Sequence, residues 1–211
     1  MMRIDPDTFF ESKFWKSGLP YVAGLDEAGR GALAGPVAVG AVILPGNKRL
    51  LSRTLAGVRD SKQMTPLERE SLAPRIQEVA LTWSVGFAPA EEIDSLGIVP
   101  ATRLAALRAL QGLSVTPQYL LTDFRLELPE LDISQTALVR GDAFCLSIAA
   151  ASVLAKIARD RLMCELDLCY RGYGLGKHKG YGTQSHRSAM ERLGSSPIHR
   201  KSFQLKDTRI A

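Results

Sequence analysis

Two apolar runs joined by a glycine-bearing connection constrain this chain more than any other feature. Residues 21–25 form a short apolar run behind Gly18-Leu19-Pro20, and residues 37–44 form a β-branched run closed by Pro45-Gly46. Both read as strands, because short runs rich in Val, Ile and Leu between turn residues suit a buried, pleated surface. The connection, Asp-Glu-Ala-Gly-Arg-Gly-Ala-Leu-Ala-Gly-Pro, is short enough for a hairpin. It starts with two acids, Asp26 and Glu27, directly after the first strand.

Thr65-Pro66-Leu67-Glu68 is a helix start, with Thr as N-cap, Pro at the first helical position and Glu placed to close a capping box. Residues 82–87 alternate like a strand, and 98–110 carry apolar residues at 104, 107 and 110, one face of a helix. Residues 119–122 and 133–139 read as further strands, ending near Asp123 and leading through Arg140-Gly141 to Asp142. Residues 143–170 read as one long, Ala-rich helix with Lys156, Arg159, Asp160 and Glu165 on its wetter side, and a last helix runs from Thr183 to near Gly194. Residues 47–63 are a basic loop. Strands first, then alternating helices, give an α/β domain with a mixed central sheet and no internal repeat.

At 211 residues the chain is expected to form a single domain over 1–211. No apolar run approaches the ~20 residues that span a bilayer, and the N-terminus mixes acids and bases without a signal-peptide core, so a cytoplasmic monomer away from membranes is expected. Cys145, Cys164 and Cys169 lie in one apolar stretch, which suits buried thiols better than disulfides. No CxxC pair occurs, and His178, His186 and His199 lack zinc-ligand spacing. Net charge is +5, but residues 171–211 hold nine Lys/Arg against two acids (+7) while 1–170 hold eighteen against twenty (−2). The basic C-terminal segment is either a solvated tail or a surface for a polyanion such as nucleic acid.

An Asp-Glu dipeptide after a strand is, alone, readily a solvated turn. Asp123 also ends an apolar strand, and Asp142 stands between a strand and a helix, where it can equally serve as an N-cap. Strand ends form the usual ligand crevice of α/β sheets. Carboxylates converging there repel one another unless a cation neutralises them, and oxygen-only sites suit Mg²⁺ or Mn²⁺. Such a site can cut a phosphodiester with metal-activated water, needing no side-chain nucleophile. Successive strand side chains point to opposite faces, so for Asp26 and Glu27 to face one metal the strand must end or twist at Glu27.

Gly29, Gly31 and Gly35 after a strand also suggest a dinucleotide-binding turn. That reading needs a helix where residues 37–44 favour a strand, and Asp26 and Glu27 would repel pyrophosphate. Bare glycine backbone beside a metal site has another use: it can approach a ribose 2′-OH, the group that separates RNA from DNA. Arg30, between the glycines, can grip a phosphate.

Several segments in order resemble the bacterial type 2 ribonuclease H family, ribonuclease HII: Gly24-Leu25-Asp26-Glu27-Ala28-Gly29-Arg30-Gly31, Asp60-Ser61-Lys62, Arg140-Gly141-Asp142, SIAAASVLAKIARDR over 147–161, His178-Lys179-Gly180-Tyr181-Gly182-Thr183, and His199-Arg200-Lys201-Ser202-Phe203. The resemblance implies a ribonuclease H-like fold whose mixed sheet is flanked by helices. It implies that Asp26, Glu27, Asp123 and Asp142 are the catalytic, metal-binding set for Mn²⁺ or Mg²⁺. It further implies that Gly29-Arg30-Gly31 senses the 2′-OH, that Tyr181 packs on the next sugar, and that Lys62 and Arg200 join the substrate contacts. The substrates implied are RNA/DNA hybrids and ribonucleotides embedded in duplex DNA, cut on the 5′ side to leave 3′-hydroxyl and 5′-phosphate ends. Two departures stand out: Phe124 follows Asp123 where Gly is common, a strain if the turn needs positive φ, and Arg140 replaces Lys. A nucleic-acid-binding protein without activity is the competing class.

Overall fold

The computed structural model describes residues 5–46, 51–124 and 126–203. In chain order it contains α1 (Phe9–Lys16), β1 (Val22–Ala28), β2 (Val37–Ile43), α2 (Leu51–Thr54), a 3₁₀ turn (Ser61–Gln63), α3 (Pro66–Val79), β3 (Thr82–Ala88), α4 (Ala90–Leu96), α5 (Ile98–Gln111), β4 (Tyr119–Asp123), β5 (Gln135–Leu138), α6 (Gly141–Phe144), α7 (Leu146–Cys169), α8 (Leu175–His178) and α9 (Gln184–Leu193). Residues 47–50 of the basic loop and 204–211 of the basic C-terminal segment lie outside the described residues.

The strands form one mixed sheet in the order β3-β2-β1-β4-β5. β1 runs antiparallel to β2, and β2 to β3; β4 lies parallel to β1, and β5 to β4. The hairpin expected between the first two strands is present. α7 covers one face of the sheet, with α3 packed against it, and α5 covers the other. Small residues allow these close approaches. A Cβ at Gly24 would lie 2.3 Å from the Ser147 carbonyl carbon, one at Gly40 2.3 Å from the Ala151 oxygen, and one at Gly86 2.1 Å from the Ala105 oxygen.

That closeness corrects the expectation for the helix over 98–110. Leu104, Leu107 and Leu110 are only half-buried, while Ala101, Ala105, Ala106 and Ala109 are fully buried. The alanines make the contact face because leucines would hold the helix away from Gly86. The long helix expected over 143–170 is also interrupted. Cys145 takes extended angles (φ −109°, ψ 120°), splitting off α6, so Asp142 does not cap the long helix. Buried Glu11 on α1, an element not foreseen, serves that end instead by accepting the Ser147 N–H at 2.7 Å. Its charge suits the positive end of the α7 dipole.

The helix starts fared better. Thr65 accepts the Glu68 N–H and the Glu68 carboxylate accepts the Thr65 N–H, the expected capping box. Thr183 and Gly194 flank α9 as foreseen. Cys145 is buried, but Cys164 and Cys169 are exposed, contrary to the expectation of three buried thiols, because α7 outruns the sheet near its C-terminus. No helix among the described residues is long and apolar enough to cross a membrane.

Gly40→Ala should lower unfolding stability by about 1–3 kcal/mol, the usual cost of overpacking a tight contact. Gly31→Ala, where an added Cβ meets nothing within 4 Å, should leave it unchanged. Urea unfolding of the two variants checks the contrast.

Candidate active site

β1 and β4 run parallel with Leu25 opposite Thr122, so Asp26 and Asp123 follow as the next residues at the C-terminal ends of adjacent strands. β5 pairs with β4 up to Asp123 opposite Leu138, and the chain then turns through Arg140, in the left-handed region at φ 57°, into α6 with Asp142. Parallel pairing therefore delivers three acids to one end of the sheet. Of the two ways foreseen for the acids to meet, an end or a twist at Glu27, the strand does not end there but continues through Ala28 against β2. Its pairing with β4 stops at Leu25, which leaves Glu27 open toward the crevice while Asp26 lies buried beneath it, on the α7 side with Ser152.

The crevice has a volume of about 420 Å³ and is lined by Glu27, Asp123 and Asp142, with Arg30, Asp60, Lys62, Phe124 and Arg140 among its other walls. Asp26 is 1% exposed. Its Oδ1 accepts the Glu27 N–H at 2.8 Å, and its Oδ2 has no partner. Glu27 Oε1 lies 3.7 Å from Arg30 Nη1, and its buried Oε2 likewise has no partner. Asp123 Oδ1 accepts the Gly141 N–H at 2.7 Å. Asp142 Oδ2 lies 3.7 Å from Lys62 Nζ.

Burial, and then the charge of Glu27, hold the Asp26 carboxyl well above the usual carboxylate range. Burial raises Glu27 too, partly opposed by Arg30. Burial and the charges of Asp60 and Asp123 push Asp142 up to about 6. Burial alone would lower Lys62, but Asp26, Asp60, Asp142 and Glu27 outweigh it and raise its pKa. Lys62 and Arg30 are thus counter-charges to a cluster in which acids predominate.

Two orphaned buried carboxylate oxygens in an all-oxygen donor set, with the pKa values of Asp26, Glu27 and Asp142 raised, fit a hard divalent cation. Among the described residues no three acidic, histidine or cysteine side chains are drawn together tightly enough to enclose one as they stand. A cation bound among these carboxylates would offset their mutual repulsion.

Sequence reading missed Asp60 as part of this cluster. Asp60 caps the 3₁₀ turn by accepting the Lys62 N–H at 2.9 Å, which fixes Lys62 at the crevice wall. Buried Arg69 holds that turn from below by donating to the Ser61 and Met64 carbonyls. Phe124, half-exposed at the crevice wall, does not take positive φ, so the strain foreseen there does not arise.

Gly29 has φ +86°, and an added Cβ would fall 1.8 Å from Arg159 Nε. Arg159 was expected on the wet side of its helix; it is completely buried. It donates to the Pro36 and Ala34 carbonyls, both in buried contacts, and to the Lys179 carbonyl. Arg200 is 2% exposed and donates to the Gly29, Arg30 and Gly35 carbonyls at 2.8–3.0 Å. It lies behind the glycine loop, outside the crevice. Gly31 differs: it is exposed, and nothing in the fold requires it to be glycine. Tyr181, half-buried and also outside the crevice lining, lies over Arg159 and Lys156 at 5.4 Å.

A family model described as Ribonuclease HII matches residues 23–206. The chain belongs to the ribonuclease HII family. The ribonuclease HII of Dehalococcoides mccartyi is 52% identical over 200 residues, covering 95% of this chain and 93% of that protein. That of Thermus thermophilus is 50% identical over 193 residues, covering 92% and 90%. The crystal structure of ribonuclease H2 from Pyrococcus horikoshii is similar with a TM-score of 0.70 at 26% identity, covering 87% of this chain and 93% of that one. Ribonuclease HIII of Bst in complex with Mn²⁺ shares the fold, with a TM-score of 0.62 at 17% identity over 87% and 67%. As a ribonuclease HII, the chain is a metal-dependent nuclease acting on RNA/DNA hybrids, and its sheet with flanking helices is the ribonuclease H-like α/β fold.

Carboxylates whose pKa is raised in the folded state bind extra protons there, so their contribution to stability is present below about pH 4 and lost as pH rises through about 6 and beyond. In chelator, Asp26→Asn, which keeps the oxygen facing the Glu27 N–H, should therefore be more stable than the parent at pH 8, by roughly 2–4 °C if ~1 kcal/mol is relieved. The gain should shrink toward pH 4. Saturating Mn²⁺ should stabilise the parent and not the variant, which thermal unfolding with and without metal checks.

Proposed function

We propose that Asp26, Glu27, Asp123 and Asp142 hold Mn²⁺ or Mg²⁺ and that the enzyme cuts on the 5′ side of ribonucleotides, both in RNA/DNA hybrids and embedded singly in duplex DNA. The observation that carries this reading is the pair of partnerless buried oxygens on Asp26 and Glu27, beside two further carboxylates at the same sheet end. When bound, the divalent cation supplies activated water and a counter-charge for the leaving 3′-oxygen, so the products carry 3′-hydroxyl and 5′-phosphate ends. Asp26 is the central ligand, because it is the most buried of the four residues and feels the charges of both Glu27 and Asp123. Glu27, Asp123 and Asp142 bind from the crevice walls. Lys62 and Arg30, the cations that line the crevice beside these acids, hold the phosphate backbone of the substrate.

Selection of RNA is assigned to Gly29-Arg30-Gly31. Gly31 presents bare backbone in open space, so a ribose can approach and exchange hydrogen bonds through its 2′-OH. Gly29 is needed by the fold for Arg159, whereas Gly31 is kept for the ligand. Arg200 contributes from behind by fixing the carbonyls of that loop. Tyr181 is assigned to the sugar of the next nucleotide, favouring a ribo-to-deoxyribonucleotide junction. The domain acts as a monomer, and its basic C-terminal segment adds to the attraction for nucleic acid.

Cleavage of a duplex carrying one ribonucleotide, with the product ends identified, tests the assignment. Asp26→Asn and Asp142→Asn should abolish Mg²⁺- and Mn²⁺-dependent cleavage, and undiminished cleavage by either would remove that residue from the set. Gly31→Ala should keep parental stability but lose about tenfold or more in kcat/KM, a loss of ~1.4 kcal/mol of transition-state binding. A duplex bound but never cut at any metal concentration would favour a binding protein instead.

A further inference from the structure

His178, His186 and His199, separated in sequence, pack together behind the segment that carries Tyr181. His178 and His186 stack with ring centres 4.3 Å apart, and His186 Nε2 lies 3.1 Å from His199 Nε2. His186 and His199 are 0% and 1% exposed, and no step assigned above uses them.

Their partners fix where each proton sits. The Tyr181 carbonyl, 3.0 Å from His186 Nδ1, can only accept, so His186 carries its proton on Nδ1 and presents a lone pair at Nε2. The Ser196 N–H donates to His199 Nδ1 at 3.0 Å, so His199 carries its proton on Nε2. The two rings therefore meet correctly, with His199 Nε2–H donating to His186 Nε2. One directed chain runs from Ser196 N–H through His199 and His186 to the Tyr181 carbonyl. Burial holds His186 down at about 4 and His199 below the ordinary imidazole range, which keeps both rings neutral at pH 7, as the chain requires.

Both ends of this chain adjoin the glycine loop. Next to Tyr181, the Gly180 carbonyl accepts the Leu33 and Ala34 N–H groups. Next to His199, the Arg200 N–H donates to the Leu33 carbonyl, and its guanidinium holds Gly29, Arg30 and Gly35. The histidines thus close a triangle whose other two sides are the loop contacts.

We propose that His186 and His199 are positioning residues for sugar reading, fixing Tyr181 relative to the glycine loop through this single directed hydrogen-bond chain. The inference rests on the assignment of Tyr181 to the sugar beyond the cleavage site. A core role alone would need packing and satisfied polar atoms, but no particular effect on which substrate is cut.

The test uses the metal-loaded enzyme and the ratio of kcat/KM on a duplex with one ribonucleotide to that on an uninterrupted hybrid, in which metal binding and overall folding cancel. His186→Phe keeps the ring volume and breaks the chain; it should reduce the ratio by about tenfold. His186→Asn, whose amide can still donate to the Tyr181 carbonyl, should recover most of the loss. Tyr181→Ala should reduce the ratio similarly, and adding His186→Phe to it should change little further. A folded His186→Phe enzyme with an unchanged ratio, while Tyr181→Ala loses it, would overturn the positioning role alone. If Tyr181→Ala keeps the ratio, the sugar assignment falls and the positioning role falls with it. Should His186→Phe not fold, imidazole ¹⁵N shifts of the parent still decide: the proton should be on Nδ1 of His186 and on Nε2 of His199, and the reverse would overturn the chain.

Discussion

Asp26 lies near the C-terminal end of the central strand, where its pairing with β4 has stopped, with one oxygen on a backbone N–H and the other on nothing. Leaving an ionised carboxylate buried and half-satisfied costs several kcal/mol, a deficit that a bound proton or a bound cation makes up. The surrounding architecture keeps this deficit in place. β4 lies parallel to β1 and stops beside it, which adds the charge of Asp123; α6 adds Asp142; the 3₁₀ turn adds Asp60 and the lone ammonium of Lys62. β4 and α6 each add negative charge at the crevice, and Lys62 on the 3₁₀ turn offsets part of it. The sheet and the tight helix packing against Gly24 and Gly40 supply the stability that this arrangement draws on.

The choice of substrate proposed above rests on a second, separate set of contacts. Two buried guanidiniums, Arg159 and Arg200, together donate to the carbonyls of Gly29, Arg30, Ala34, Gly35, Pro36 and Lys179. Bare carbonyls in an irregular loop need such donors, and planar guanidinium groups can serve several at once. The result is a loop whose carbonyls are held from behind, with Gly31 left open at its surface. The basic C-terminal segment is therefore more than a solvated tail: its described part holds Arg200 and two histidines that are buried against the loop.

Much of this was legible in the chain. The strand runs, the hairpin, the capping box at Thr65 and the last helix follow from local patterns that each residue sets with its near neighbours. The acids at strand ends were legible too, since the end of an apolar run is visible in sequence. Three features were hidden because they depend on distant partners. Helical periodicity pointed to the leucines of α5, but the close approach at Gly86 selects the alanines. Arg159 looked like a solvent-facing charge until the carbonyls it satisfies, more than a hundred positions earlier in the chain, were in place. The three histidines, which lack zinc-ligand spacing, meet only because α8, α9 and the 196–199 turn fold onto one another.

The central claim is that the carboxylate cluster at the end of β1 is built for a divalent cation. Anomalous diffraction from crystals of the protein equilibrated with Mn²⁺ tests it most directly. The account predicts a Mn²⁺ peak in contact with the free oxygen of Asp26 and shared with at least one of Glu27, Asp123 and Asp142. Full Mn²⁺ occupancy elsewhere, with Asp26 still without a metal contact, would contradict it.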